Sequence, residues 1–360
     1  MVLLQQHETP YLYTMRRTLP TVEQFVQGIR SANRVLLGQA ITLVESARPD
    51  HQALAREIIS ELLARPSDNT LRIGITGAPG AGKSTLIEAL GNHITKQGQR
   101  VAVLAIDPTS AISGGSILGD KTRMAALSSN HLAFIRPSPS GDSLGGVARK
   151  TRETILLVEA AGFNTVIVET VGVGQSEYAV HSMTDLFMLL LLPGAGDELQ
   201  GIKRGIVEMA DLLVVNKADG DRVHLANQAG AHYRNATHLL PPKPSGWTPA
   251  VVACSALEGT GIRALWEMVE TYHQHILRNG FFRENRRQQA GYWLREALDN
   301  SLKALFYSHP SVHTILPNLE KDVLEGRISP FTAAEKVMAA FSPTQDTFNS
   351  PDRKLQTENP

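Results

Sequence analysis

Six short apolar runs divide the middle of this chain, and a helical pattern follows almost every one of them. They read LRIGITG (71–77), RVAVLAID (100–107), TVIVET (165–170), DLFMLLLL (185–192), DLLVVN (211–216) and AVVAC (250–254). Parallel strands that are buried on both faces have continuous rather than alternating apolar sequence. The chain is therefore predicted to form an α/β fold, with a mainly parallel sheet covered by helices on both faces.

Helical periodicity flanks this core on both sides. Residues 21–64 predict two or three amphipathic helices, and the sequence after Gly261 predicts two long helices and two shorter ones. The C-terminal helices either form an arm that binds a partner or pack on their own domain, and the sequence does not decide between these two roles. The polar residues from 343 onward predict disorder. The predicted parts are a helical segment (1–68), a core domain (69–260), a helical arm (261–342) and a tail (343–360).

Composition argues against several classes of protein. The 360 residues include 35 Lys and Arg against 35 Asp and Glu, so there is no basic surplus for nucleic acid or an acidic membrane. The single cysteine, Cys254, rules out an intramolecular disulfide, and we expect it to be a small apolar residue of its strand. The opening MVLLQQHETP lacks a basic signal region, and no apolar run approaches the roughly 20 residues that span a bilayer. We therefore expect a cytoplasmic protein.

A glycine-rich motif, GAPGAGKS at 77–84, joins the first predicted strand to a helical pattern. It has the form G-x-x-x-x-G-K-[ST], in which backbone N–H groups and a helix N-terminus surround phosphates. Lys83 is predicted to reach the terminal phosphates, and the Ser84 hydroxyl to bind Mg²⁺. The predicted phosphate-binding residues are Gly77, Ala78, Pro79, Gly80, Ala81, Gly82, Lys83, Ser84 and Thr85.

A second motif, NKAD, closes the fifth apolar run and predicts which base is bound. An aspartate can accept hydrogen bonds from N1–H and the 2-amino group of guanine, whereas adenine would leave that carboxylate unpaired. Guanine is therefore favoured. The loop CSAL then fits a backbone contact to guanine O6. The predicted base-binding residues are Asn216, Lys217, Asp219, Ser255, Ala256 and Leu257.

Three acids could complete a magnesium site with Ser84. Asp107 and Glu169 each end a predicted strand, at the edge of the sheet where open α/β folds bind ligands. Asp120 lies in a glycine-rich polar loop. Magnesium retains several waters and takes few direct protein ligands, so we expect some of these carboxylates to act through water.

The stretch ETVGVGQSE (169–177) lies where a GTPase senses the third phosphate. Most such proteins have Asp-x-x-Gly-Gln there, with the glutamine orienting the attacking water. Here Glu169 replaces the aspartate and Val173 replaces the glutamine. Because valine cannot hold a water, we predict slow intrinsic hydrolysis, with a partner, a switch segment or Gln175 supplying the missing contact.

With these motifs in place, residues 73–256 resemble the MeaB/ArgK family of P-loop GTPases, which includes the human protein associated with methylmalonic aciduria type A. The resemblance rests on GAPGAGKST, AIDPTSAISGGSILGDKTRM, ETVGVGQSE and LPGAGDELQGIKRGIVEMADLLVVNKADGD, and on the flanking helical segments. It implies a G domain of the signal-recognition and MinD type, preceded by helices and followed by a C-terminal arm that forms a homodimer.

The resemblance also implies a function. Proteins of this family are GTPase chaperones that gate cofactor loading of an adenosylcobalamin-dependent acyl-CoA mutase, typically methylmalonyl-CoA mutase, and help to exchange damaged cofactor. Segment 192–203 matches a third mobile switch, with Gln200 and Lys203 as candidate links to the partner. The residues that match the family's phosphate and magnesium positions are Lys83, Ser84, Asp107, Asp120 and Glu169, and we assign catalysis to Lys83, Glu169 and Asp107.

Other functions fit the sequence less well. Related GTPases that insert nickel or handle zinc and cobalt carry His-rich or Cys-rich motifs, which one Cys and scattered His residues do not supply. The chain lacks the Asp-x-His-x-x-Gly string of base-off cobalamin binding, so we expect the mutase and not this chain to hold cobalamin. Two alternative functions stay open. One is a kinase that acts on periplasmic amino-acid-binding proteins, although neither a kinase catalytic loop nor an export signal is evident in the sequence. The other is a scaffold that binds GTP but barely hydrolyses it.

Overall fold

In the part of the chain that the structure describes, seven strands form one parallel sheet. The computed structural model describes residues 19–64, 70–106, 124–137, 144–170, 176–194 and 204–341. The strands are β1 (Leu71–Gly77), β2 (Val101–Ile106), β3 (Ala133–Arg136), β4 (Thr165–Thr170), β5 (Leu186–Leu191), β6 (Leu212–Val215) and β7 (Ala250–Ala253). Their order across the sheet is β3-β2-β4-β1-β5-β6-β7. The predicted α/β fold is confirmed, and each of the six apolar runs contains a strand.

Helices precede, cover and follow the sheet. They are α1 (Val22–Arg30), α2 (Arg34–Glu45), α3 (Pro49–Leu63), α4 (Lys83–Lys96), α5 (Ala125–Ser129), α6 (Leu144–Ala160), α7 (Ser176–His181), α8 (Arg204–Met209), α9 (Val223–Thr237), α10 (Ile262–Arg278), α11 (Phe281–Ser308), α12 (Pro310–Leu324) and α13 (Pro330–Ala340). A 3₁₀ turn covers Gly220–Arg222. None of these helices is both long and apolar enough to cross a bilayer.

Strand β3 was missed by the sequence analysis. It has only four residues, AFIR, and fully and partly buried side chains alternate along it. It lies at an edge of the sheet and, among the described strands, pairs with β2 alone. An edge strand with one half-exposed face lacks the continuous apolar sequence that identified the other strands.

Helix α2 contacts this edge of the sheet. Arg34 of α2 donates to the carbonyl of His131, next to β3, and its guanidinium lies 5.9 Å from the centre of the Phe134 ring. An ion pair between Glu45 and Arg136 adds a second link from α2 to β3. An exposed edge strand can pair with other chains, and these contacts from α2 occupy part of that edge.

Strand β1 is central and places the chemically important loops. It pairs with β4 on one side and β5 on the other, and all seven of its residues are buried. The register sets Ile75 opposite Glu169 and Gly77 opposite Leu190. Because parallel strands share one carboxyl edge, the glycine-rich loop after β1 and the acidic end of β4 lie side by side.

Four charged residues meet near the amino ends of β1 and β5, and we call them the amino-edge charge cluster: Arg72, Glu159, Asp185 and Arg286. Arg72 of β1 donates two hydrogen bonds to Glu159 of α6, at 2.7 and 2.8 Å. Arg286 of α11 donates to both oxygens of Asp185, at 3.0 and 2.8 Å, and lies 3.5 Å from Glu159. Arg72, Glu159 and Asp185 are all at most 6% exposed. The cluster therefore joins α6 and the start of α11 to the sheet through desolvated charges.

Internal contacts divide the chain into one compact unit ending at Gln289 and another starting at Ala290, so the division falls inside α11. In the second unit, α12 and α13 pack together through Val312, Ala333 and Val337, which are buried. The predicted domain boundaries at 68, 260 and 342 stay predictions.

Candidate nucleotide-binding site

The glycine-rich loop forms a tight connection between β1 and α4. The N–H of Ala81 donates to the carbonyl of Ala78 at 3.1 Å, and Gly82 caps α4 with a φ of 89°. A Cβ atom built on Gly82 would lie 2.6 Å from Nδ2 of Asn216. Both the left-handed backbone and the close approach therefore require glycine at this position.

Lys83 is buried inside this loop, with only 9% of its surface exposed. Its ammonium donates to the carbonyls of Gly77 at 2.8 Å and Ala78 at 3.4 Å. Burial lowers the pKa of Lys83, while the charges of Glu169 and Glu177 act in the opposite direction. The loop thus holds one cation among backbone dipoles, an arrangement suited to a polyphosphate.

Ser84 and Glu169 form an oxygen-rich corner beside this lysine. The Ser84 hydroxyl donates to Oε1 of Glu169 at 3.2 Å, and Glu169 is only 5% exposed. Thr170 at the end of β4 donates to Thr76 of β1 at 2.9 Å, which ties the two strand ends together. A hydroxyl and a carboxylate are hard oxygen donors, so this corner fits Mg²⁺.

Several predicted site residues lie outside the described residues. They are Asp107, Asp120, Val173, Gln175, Gln200 and Lys203. The predicted metal, water-positioning and switch roles of these residues stay predictions.

Asn216 joins the glycine-rich loop to the loop after β7. Its Nδ2 donates to the carbonyl of Ala81 at 2.8 Å, and its Oδ1 accepts from the N–H of Ala256 at 3.1 Å. Asn216 is 1% exposed, so both bonds are shielded from water. One side chain thus fixes the distance between the predicted phosphate and base loops.

Asp219 presents its carboxylate at the same edge of the sheet. Ser255 donates to Oδ2 of Asp219 at 2.6 Å, and Arg222 forms an ion pair with Oδ1. The Ser255 hydrogen bond, together with Arg222 and Lys217, lowers the pKa of Asp219 although burial opposes them. The carboxylate is therefore ionised at neutral pH and can accept hydrogen bonds from a base.

Lys217 and Leu257 complete the set of predicted base-binding residues. Lys217 has a positive φ of 60°, which is unusual for a residue other than glycine, and its Cε lies 4.0 Å from the Cβ position of Gly82. Its aliphatic chain thus runs beside the glycine-rich loop. Leu257 is 80% exposed.

Two residues of the site escaped the sequence analysis. Arg222 binds Asp219 from three positions further on, a spacing that could have been noticed in NKADGDR. Glu177 is fully buried in the first turn of α7, and its charge partly offsets the lowering of the Lys83 pKa by burial. No sequence pattern distinguishes that glutamate from a solvated one. Cys254 is buried, and burial raises the pKa of its thiol to about 12, so it is an inert apolar residue as expected.

Comparisons with known proteins now identify the family. The family model of the methylmalonyl-CoA mutase-associated GTPase MeaB matches residues 37–311. The chain belongs to the MeaB family of GTPases. It is 44% identical to the mouse mitochondrial methylmalonic aciduria type A homolog over 89% of this chain and 79% of that protein. It is 46% identical to the Escherichia coli GTPase ArgK over 78% of this chain and 85% of that protein.

A solved structure shares the fold of this MeaB-family GTPase. It is described as a LAO/AO transport system kinase, with a TM-score of 0.69 and 36% identity over 88% of this chain and 96% of that one. The resemblance deduced from the motifs is confirmed by these matches. The protein is accordingly a GTP hydrolase that binds a guanine nucleotide.

Gly82→Ala is expected to weaken GTP binding by about 10-fold or more, because the added methyl group would displace Asn216. Isothermal titration calorimetry measures this loss. Gly98→Ala is the matched control, since Gly98 also has a left-handed φ, of 78°, but its Cβ position is open. An affinity of Gly82→Ala equal to that of the control would contradict the steric argument.

Proposed function

We propose that this GTPase is a nucleotide-dependent chaperone of an adenosylcobalamin-dependent acyl-CoA mutase of the methylmalonyl-CoA mutase type. It gates loading of the cofactor onto the mutase and helps to exchange damaged cofactor. The observation that carries the proposal is the match of residues 37–311 to a family defined as mutase-associated GTPases. The name of the mouse relative also refers to methylmalonic aciduria.

In this proposal the glycine-rich loop binds the phosphates and Lys83 neutralises the terminal ones. The geometry that supports this role is the buried ammonium held between the carbonyls of Gly77 and Ala78. Ser84 and Glu169 would hold Mg²⁺, together with Asp107 and Asp120, in part through water. The ion supplies positive charge to the phosphate oxygens when bound. Lys83, Glu169 and Asp107 are the proposed catalytic residues.

Guanine is proposed to bind between two loops of the same edge. Asp219 accepts hydrogen bonds from the base, Lys217 lies along it, and Ser255, Ala256 and Leu257 form the loop near O6. Supporting this, Ser255 is fully buried and holds the Asp219 carboxylate at 2.6 Å. Gln200 and Lys203 are proposed to report the nucleotide state to the mutase. The cytoplasmic location and the absence of cobalamin from this chain stay predictions.

Single-turnover hydrolysis with and without the mutase tests the proposal. We expect slow hydrolysis by the GTPase alone, because Val173 replaces the usual glutamine, and faster hydrolysis with the mutase. A rate that the mutase leaves unchanged would contradict partner dependence. A pull-down with protein loaded with a GTP analogue should also recover a cobalamin enzyme, and recovery of none would count against the chaperone role.

The kinase alternative has one observation in its favour, since the solved relative is described as a transport system kinase. A phosphate-transfer assay distinguishes a kinase from a GTPase. GTP labelled on its γ-phosphate is incubated with the GTPase and a periplasmic amino-acid-binding protein. We expect the label to appear only as inorganic phosphate, and its transfer to the binding protein would favour the kinase.

We also propose that the protein is a homodimer formed through α11. Leu294, Leu298 and Leu302 are spaced four residues apart and are 61%, 54% and 63% exposed. They form one apolar stripe on the helix, and such stripes are normally covered by another chain or domain. A twofold interface would bring the stripe against its own copy.

Leu298→Asp is expected to convert this dimer to a monomer, because the interface would bury an unpaired carboxylate. Sedimentation velocity measures the change. Leu324→Asp introduces the same charge at another exposed leucine of the second unit, 87% exposed in α12, and should leave the dimer intact. A wild-type protein that sediments as a monomer would refute the proposed interface.

A further inference from the structure

The carboxylate of Asp219 has one hydrogen-bond donor on each of its two oxygens. Ser255 donates to Oδ2 at 2.6 Å from one side. Arg222 donates to Oδ1 from the other. Ser255 is 0% exposed, whereas the Arg222 side chain is 48% exposed, so the carboxylate lies between a buried hydroxyl and a cation at the surface.

The Asp219 carboxylate can still accept hydrogen bonds from a ligand. An ionised carboxylate offers about four lone-pair positions, two on each oxygen. Ser255 and Arg222 use one on each oxygen, which leaves one on each oxygen. Guanine has two adjacent donors, N1–H and the 2-amino group, and needs one acceptor for each. The remaining acceptor capacity of Asp219 therefore matches the guanine edge in number.

The local backbone explains how Arg222 reaches this position. The N–H of Arg222 donates to the carbonyl of Asp219 at 3.0 Å, which closes the 3₁₀ turn Gly220–Arg222. Residues three apart in such a turn lie above one another, so the guanidinium folds back over the carboxylate. Its position is set by the same chain segment that carries Asp219.

An ion pair at a protein surface usually contributes little to stability, because water screens both charges. This pair differs because its acidic partner is only 9% exposed. Fixing the rotation of that carboxylate determines where the two free acceptor positions point. A loss of Arg222 should thus affect ligand selection more than folding.

We propose that Arg222 is a positioning residue for guanine selection, holding Oδ1 of Asp219 so that both free acceptor positions face the base. The inference rests on the proposed role of Asp219 in base binding. Arg222 acts through Asp219 and need not touch the nucleotide.

The test compares guanosine and inosine diphosphates, because inosine lacks the 2-amino group. Calorimetry gives the dissociation constants of both nucleotides for wild type and Arg222→Ala. We expect GDP affinity to fall by about 10-fold and IDP affinity to fall less. The ratio of the IDP to the GDP dissociation constant, which measures the preference for guanine, should therefore fall by about 3-fold or more. Arg222→Lys should restore the preference, since lysine can still donate one hydrogen bond to the carboxylate.

A control variant and two outcomes make the test decisive. Arg48→Ala removes another exposed arginine from a local ion pair, with Asp50, and should change neither constant. Equal losses for GDP and IDP would show a merely structural role and overturn the inference, as would constants within about twofold of wild type. Arg222→Gln replaces the alanine variant if that variant does not fold.

Asp219→Asn separates this inference from the proposed site. If Asp219→Asn loses guanine preference while Arg222→Ala retains it, the base site stands and the inference is wrong. If Asp219→Asn retains guanine preference, the base-site assignment is wrong and the inference falls with it.

Discussion

Replacement of Lys83 by alanine is expected to slow GTP hydrolysis by about 10²–10³-fold or more. The ammonium of Lys83 is buried in the glycine-rich loop, which is proposed to bind the phosphates. An alanine there leaves the charge that develops on the phosphate oxygens without this partner. Single-turnover hydrolysis at saturating GTP measures the effect, and calorimetry measures binding separately.

Lys96→Ala is the matched control for this prediction. Lys96 lies at the other end of the same helix, α4, and is exposed to solvent. The same substitution there should leave hydrolysis unchanged. A rate for Lys83→Ala within about threefold of the control would refute the proposed phosphate contact.

Glu159→Gln is expected to lower the free energy of unfolding by about 3–5 kcal/mol, because it breaks a buried ion pair by removing one charge. The substitution leaves the guanidinium of Arg72 facing a neutral amide at a site that is only 5% exposed. Arg286 of α11 also loses a nearby carboxylate. Urea unfolding followed by circular dichroism measures the change.

The exposed pair of Arg263 and Glu267 supplies the control for this stability prediction. Its side chains are 84% and 56% exposed, and the atoms are 2.8 Å apart. Glu267→Gln should change the free energy of unfolding by less than about 0.5 kcal/mol. If Glu159→Gln changes stability no more than this control does, the amino-edge charge cluster does not stabilise the fold as argued.

Much of the fold was predictable because its signals are local. Strands buried on both faces have continuous apolar sequence, and the N-terminal helices carry their own start signals. Thr21 forms a capping box with Gln24, and Pro49 occupies the first position of α3. Strand β3 was missed because its burial alternates and it is four residues long.

The parts of the site that short motifs at strand ends supply could be predicted from the sequence. The glycine-rich loop and its lysine lie within eight consecutive residues, so spacing alone placed them. The amino-edge charge cluster could not be predicted, because Arg286 and Asp185 are 101 residues apart in sequence. Such pairs depend on the register of the sheet and the packing of α11.

The two hydrogen bonds of the Asn216 side chain imply that phosphate binding and base binding are not independent. The amide that holds Ala81 also holds Ala256, so a shift of either loop is transmitted to the other. The amide of Asn216 therefore couples the two loops mechanically, and we expect a change that displaces one loop to disturb ligand contacts in the other.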